Sequence, residues 1–199
     1  MKTIVIGLSG KIGSGKSTLA EFLKEELETI GIGTKILNFA DALKKITFEL
    51  SGHHGYTQED KQVYLEDWGM TVGTMLQRLG TEVMRTNFDE DVWVKATFSK
   101  LIPGVNIIGD CRFPNEAEAI KKRGGILIRL NGDPAEVRKN STRDLNHASE
   151  TSLDNYNEFD YVFSNTGTTE ELKTFVYQVV DRLLEDHFQE DKRLSRLDL

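Results

Sequence analysis

Only one cysteine, Cys111, occurs in the 199 residues, so the chain can close no internal disulfide and build no Cys-rich zinc site. A reducing compartment, the cytoplasm, is the expected setting. Basic residues are the minority: 25 Lys and Arg against 32 Asp and Glu leave a formal charge of −7. Coating a duplex requires a basic face, so no nucleic-acid polymer is expected as a partner and any anionic ligand must be met locally. Long hydrophobic runs are missing too. Nothing approaches the roughly eighteen apolar residues of a membrane span, and Ile4-Val5-Ile6 is too short for a signal-peptide core. His53, His54 and His187 make no ligand constellation, and there is no internal repeat or low-complexity tract.

What is present is a set of short runs rich in Val and Ile, at 4–8, 35–39, 105–109, 126–130 and 161–164. Runs of this kind followed by helical patterns read as strands buried on both faces of a parallel sheet, hence an α/β, three-layer domain. The first helix carries a stripe of Leu19, Phe22, Leu23, Leu27 and Ile30, with Gly31 just past its end. The last opens on a Thr168/Glu171 capping box and keeps three-four spacing through Leu172, Phe175, Val176, Val179, Val180, Leu183 and Leu184. Asp133, Pro134 and Glu136 mark a further helix start. Between the second and third strands lie about sixty-five residues of helical pattern, broken at 52–55, with Thr57 as a cap. An insertion of that size in an α/β sheet predicts a subdomain that covers substrate.

The strongest local signal is Gly10-Lys11-Ile12-Gly13-Ser14-Gly15-Lys16-Ser17, followed by Thr18, between the first strand and first helix. It matches GxxxxGK[ST], a loop whose backbone N–H groups close around phosphates while the helix N-terminus adds partial positive charge. Lys16 would bridge the β- and γ-phosphates of a nucleoside triphosphate, and Ser17 would offer its hydroxyl to Mg²⁺. The expected fold is therefore a three-layer P-loop NTPase with a five-stranded parallel sheet. Asp110, at the end of the third strand run, would hold a Mg²⁺-bound water, or cap a helix instead. Arg112 would grip a phosphate, or pair with Glu116 four residues on. In the insertion, Val72, Met75, Leu76, Leu79 and Val83 form a core stripe. That leaves Arg78, Thr81, Glu82 and Arg85 on another face, where two guanidiniums can clamp an anion with Glu82 orienting one, or which is simply a solvated charged face. Gly80, costly in mid-helix, points to close approach by another group. Arg138, Lys139 and Arg143 suit a lid that brings arginines to the transferring phosphoryl group, or a basic helix end favoured by the C-terminal dipole. Trp93 and Trp68 are either core or the wall of a base pocket.

Several segments together resemble the bacteriophage deoxynucleoside monophosphate kinase family: the loop from Gly7 to Ser17, Leu76-Gln77-Arg78-Leu79-Gly80-Thr81-Glu82, Asp91-Val92-Trp93-Val94, the stretch from Asp110 to Ile120, and Asn165-Thr166-Gly167-Thr168. The resemblance implies a nucleoside monophosphate kinase-like fold with ATP as donor, Mg²⁺ as cofactor and a deoxynucleoside monophosphate as acceptor, in deoxynucleotide supply. It implies Arg85 and Arg112 as acceptor-phosphate ligands and the loop of Asn165 and Gly167 as an adenine contact. Asp41 matches an acidic residue of related small kinases, facing the acceptor or capping a helix. The expected organisation is one kinase domain over 1–188, with a helical acceptor-binding insertion at about 41–102, a short lid at about 134–152, and a polar tail at 189–199. A homodimer stays open. Two other readings compete: a kinase for another small metabolite, such as dephospho-coenzyme A or phosphomevalonate, with Asp41 as base, and a nucleotide-dependent switch or assembly protein.

Overall fold

A computed structural model describes residues 2–57, 59–132 and 148–187. Five parallel strands form the main sheet: β1 (Thr3–Gly10), β2 (Thr34–Leu37), β5 (Gly104–Cys111), β6 (Ile126–Asn131) and β7 (Tyr161–Ser164). Their spatial order is β2-β5-β1-β6-β7. All five runs anticipated from the sequence are strands, and β1 shows why. Every residue after Thr3 is buried, because both faces are covered and the period of two divides its side chains between two cores. Ile4, Ile6 and Leu8 meet Leu19, Leu23 and Leu27 of α1 (Lys16–Thr29) and Val176, Val179 and Leu183 of α7 (Thr169–His187). Val5 faces the other way, towards Ile120 of α5 (Pro114–Lys122) and Trp93.

The helix ends follow local chemistry. Gly31, at φ 82°, follows α1 as expected, although Ile30, the last residue of the apolar stripe, is exposed at the C-cap. The Thr168 and Glu171 box is formed: the Thr168 N–H donates to Glu171 Oε2 at 3.3 Å, and the Glu171 N–H to Thr168 Oγ1 at 3.3 Å. Thr57 caps as anticipated, through reciprocal bonds with Asp60.

The insertion consists of α2 (Ala40–Ser51), a small antiparallel hairpin β3 (Tyr64–Leu65) and β4 (Met70–Thr71), α3 (Val72–Gln77) and α4 (Val92–Phe98). Two of its features differ from the sequence reading. The hairpin was expected as helix. Beyond α3 the chain widens into a π-helix over Arg78–Arg85. Val72 and Met75 are buried as the α-helical stripe requires, but the i→i+5 turn rotates later positions off it. Gly80 becomes buried, and Val83, expected in the core, is 48% exposed. The close approach foreseen at Gly80 is real and comes from the protein: a Cβ there would lie 2.7 Å from Leu43 Cδ2.

Among the described residues no helix is long and apolar enough to cross a membrane. The proposed tail, Arg138, Arg143 and the helix start at Asp133 to Glu136 lie outside the described residues. Of the lid segment, only α6 (Ala148–Thr151) and the residue after it fall within them.

Candidate active site

The carboxyl ends of the strands converge on one edge of the sheet, the place where open α/β sheets bind ligands. At the centre, β1 runs into the glycine-rich loop. Gly10, Gly13 and Gly15 have φ of 152°, 75° and 95°, values that side-chain-bearing residues seldom adopt. There is no room at two of them either: a Cβ on Gly10 would stand 2.5 Å from the Leu130 carbonyl oxygen, and one on Gly15 2.3 Å from Asn165 Nδ2. Gly15 is the N-cap of α1, with no side-chain cap and no acidic residue in the first turn. The first amides of the helix therefore have no competing anion from their own helix, which is the condition for holding phosphate. Lys16 folds back over the loop and donates from Nζ to the carbonyl oxygens of Gly10 and Lys11, each at 2.8 Å. Burial, followed by the charge of Arg112, lowers its pKa to about 8, against the opposing pull of Glu150 and Asp110. Ser17 and Thr18 face solvent on the first turn. Ser14 is buried, and its Oγ has no hydrogen-bond partner.

Asn165, just beyond β7, spans the loop: its Nδ2 donates to the Ser14 carbonyl at 3.0 Å and its backbone N–H to that of Asn131 at 2.7 Å. The Asn165–Gly167 segment expected at the adenine thus borders the phosphate loop.

Beside the loop lies a cavity of about 340 Å³, between α2, the π-helix, α4 and the end of β5, at the small end of the range for ligand pockets. Phe39, Leu43 and Trp93 give it an apolar wall, and Thr74, Gln77 and Thr81 offer polar groups. The charged end carries Arg85, Arg112, Asp110 and Glu116. Arg85 pairs with Glu116 and lies over the Phe113 ring, 4.2 Å from its centroid. Glu116 is 2% exposed, and its Oε2 accepts the backbone N–H groups of Arg112 (2.8 Å) and Phe113 (3.2 Å). Burial pushes its pKa up to about 7, Asp110 adding to the rise and Arg85 opposing it. The Arg112 guanidinium pairs with Glu150. Trp93 is both wall and core, and its Nε1 donates to the Gly80 carbonyl at 3.0 Å.

The anticipated residues divide clearly. Arg85, Trp93, Asp110 and Arg112 meet at the cavity. The clamp of Arg78 and Arg85 with Glu82 does not form: Arg78 and Glu82 are exposed and outside the cavity lining, because the π register turns them outward. Nor does Glu116 take the Arg112 side chain; it receives that residue's backbone N–H and the side chain of Arg85. Asp41 acts locally, its Oδ2 accepting the Asn38 N–H at 2.8 Å and its Oδ1 the Asn38 amide at 3.1 Å. Asp110 holds the start of α2, accepting from Phe39 N–H (2.6 Å) and Ala40 N–H (3.1 Å), and burial raises its pKa. Glu150 and the cavity residues Lys44, Thr74 and Gln77 were not singled out as site residues from the sequence. The helical periodicity of the insertion gives a cue for Thr74 and Gln77; nothing local marks Glu150, 38 residues from Arg112.

A protein-family model described as deoxynucleotide monophosphate kinase matches residues 33–176. A protein of Acanthamoeba polyphaga mimivirus, provisionally described as a deoxynucleotide monophosphate kinase, is 34% identical over 197 residues, covering 89% of this chain and 96% of the relative. Among solved structures, shikimate kinase from Aquifex aeolicus superposes with a TM-score of 0.53 at 16% identity, covering 89% of this chain and 96% of the other. A gluconokinase from Sinorhizobium meliloti does so with a TM-score of 0.53 at 15% identity, over 94% and 97% of the two chains. At such identities the likeness is one of fold: an α/β kinase-like architecture with a phosphate loop.

Proposed function

Because the chain belongs to the deoxynucleotide monophosphate kinase family, we propose that it transfers the γ-phosphoryl group of ATP to the 5′-phosphate of a deoxynucleoside monophosphate. The products are the deoxynucleoside diphosphate and ADP. The observation that carries this reading is the charged end of the cavity, where two guanidiniums, Arg85 and Arg112, line a space that is tied to the phosphate loop through the Arg112–Glu150 pair and the Ile12 N–H that Glu150 accepts. The Arg112 charge also reaches Lys16 of the loop, where it adds to the lowering of the pKa that burial causes.

The chemistry asks little of a general base. The second pKa of a phosphate monoester is about 6, so the acceptor arrives largely as a dianion. Its oxygen attacks the γ-phosphorus in line, the bond from γ-phosphorus to the β–γ bridging oxygen breaks, and ADP leaves with that electron pair. Arg85 and Arg112 hold the acceptor phosphate, while Lys16 neutralises charge that spreads over the transferring group. Arg138 and Arg143 remain proposed as further cations for that charge. Asp110 and Glu116 are committed to backbone N–H groups and to Arg85, which suits positioning better than removal of a proton from an alcohol. Trp93, Leu43 and Phe39 would receive the apolar face of a base.

Mg²⁺ fits the donor set. The exposed Ser17 hydroxyl and the second lone pairs of the Asp110 carboxylate are hard oxygen donors. No group of three or more acidic, His or Cys side chains placed to hold a metal occurs among the described residues, so the ion would be held largely by phosphates and water. When bound it supplies charge neutralisation at the phosphate oxygens. We assign the reaction to a reducing cytoplasm, in keeping with the buried free thiol of Cys111.

The test is ADP formation from ATP and Mg²⁺ with each deoxy- and ribonucleoside monophosphate in turn, and with shikimate and gluconate as alcohol acceptors. Turnover with one or more deoxynucleoside monophosphates, abolished by Lys16→Ala, is expected. Turnover confined to an alcohol acceptor would overturn the proposal.

A further inference from the structure

Glu150 takes no part in the transfer as proposed, yet it is among the most enclosed carboxylates of the protein, with its side chain 2% exposed. It enters the site from α6, far along the chain from both groups it meets. Its Oε2 accepts the backbone N–H of Ile12, inside the phosphate loop, at 3.2 Å. Its Oε1 receives the guanidinium of Arg112, at the charged end of the cavity. The same turn of chain is fastened twice more to the loop: Lys11 Nζ donates to the Glu150 carbonyl and to Asp154 Oδ2, both at 2.5 Å. One buried carboxylate thus has one oxygen on the donor loop and the other on an acceptor-site arginine.

We propose that Glu150 is a positioning residue that couples the two substrate sites, by holding Arg112 in the orientation set by the phosphate loop. The inference rests on the function proposed above. Stability alone gives a weak reason for such a group, since a buried ion pair seldom outperforms apolar packing of the same volume. The arrangement instead provides a mechanical link. A triphosphate that orders the loop fixes the Ile12 N–H, which fixes the Glu150 carboxylate and with it the Arg112 fork. The acceptor then meets an arginine already ordered and pays less to bind. By linkage the acceptor tightens the nucleotide by the same factor.

The experiment measures the dissociation constant of each of the four deoxynucleoside monophosphates with and without a non-hydrolysable ATP analogue and Mg²⁺, for the wild type and for Glu150→Gln. Tightening of about fivefold or more is expected in the wild type, within the usual range for coupled sites. Less than about twofold is expected in Glu150→Gln, with affinity for the analogue alone held within about threefold. Equal coupling in the two proteins, or none in the wild type, would overturn the inference. A purely structural Glu150 would change melting temperature and both affinities while leaving the coupling factor in place.

Should no deoxynucleoside monophosphate bind, the proposed substrate fails, and the link is decided by hydrogen exchange of the peptide containing Arg112. Protection on adding the analogue that is lost in Glu150→Gln supports it; protection that is retained, or absent from the wild type, refutes it. If Glu150→Gln does not fold because the Arg112 charge is no longer balanced by Glu150, Glu150→Gln with Arg112→Gln removes both charges. That double variant is expected to fold without coupling, and coupling retained in it would equally refute the link.

Discussion

Lys16 gives the site a pH signature. In the free protein burial and Arg112 hold its pKa down to about 8, while a triphosphate beside it favours the ammonium and raises that value. Affinity for ATP should therefore be flat below pH 8 and weaken above it, approaching tenfold per unit until the raised pKa is reached. Calorimetric titration of ATP over about pH 7 to 9.5 reads this directly, and a flat profile would contradict it. At the acceptor end, Arg85→Lys keeps the charge but loses the planar fork. It should raise the KM for the acceptor about tenfold or more, with KM for ATP within about twofold, in steady-state kinetics. That Arg85 and Arg112, which both line the cavity, belong to one site was legible in the motifs that carry them. Their partners were not. Local spacing offers Glu82 to Arg85 and Glu116 to Arg112, whereas the folded chain gives them Glu116 and Glu150, 31 and 38 residues away. Choice of a buried ion-pair partner depends on tertiary position, which a local helical period does not encode.

The elements divide by the length of the pattern that specifies them. Strands β1, β5 and β6 are short runs rich in Val, Ile and Leu, because both faces are covered, and α7 repeats its stripe from Leu172 to Leu184; all were legible. The β3–β4 hairpin has two residues in each strand, too few for a period, and its antiparallel pairing is a matter of register between strands. The π-helix is harder still, since the apolar residues spell an α-helical stripe as far as Val83. The turn is widened where Leu43 packs against the missing Cβ of Gly80 and Trp93 takes the Gly80 carbonyl. The register has a direct test in Val83. Because that side chain is half exposed, Val83→Glu should change stability by no more than about 0.5 kcal/mol in denaturant unfolding. A loss of about 2 kcal/mol or more would return Val83 to the core and the segment to α-helix. Trp93→Phe keeps the ring and removes the donor; faster amide exchange over Arg78–Arg85 is expected, with a higher KM for the acceptor.

At the scale of the whole molecule, the sheet order β2-β5-β1-β6-β7 gathers the ends of five strands at one edge, where β1 delivers the loop, β5 delivers Asp110 and Arg112, and the segment after β7 delivers Asn165. The core behind them sets how rigid that edge is. Leu183, fully buried between α7 and the sheet, is far from the cavity lining, so Leu183→Ala should cost about 2–5 kcal/mol of stability while leaving KM for both substrates unchanged below the melting transition. The insertion lies over the same edge and supplies most of the cavity wall, and Arg112 and Glu150 join that cavity to the phosphate loop. The most direct measurement is phosphorus NMR of a reaction containing ATP, Mg²⁺ and a deoxynucleoside monophosphate. Transfer to the acceptor phosphate predicts the paired α and β resonances of a deoxynucleoside diphosphate, growing with those of ADP and absent with Lys16→Ala. ADP accompanied only by inorganic phosphate, with every monophosphate resonance unchanged, would contradict phosphoryl transfer to a nucleotide.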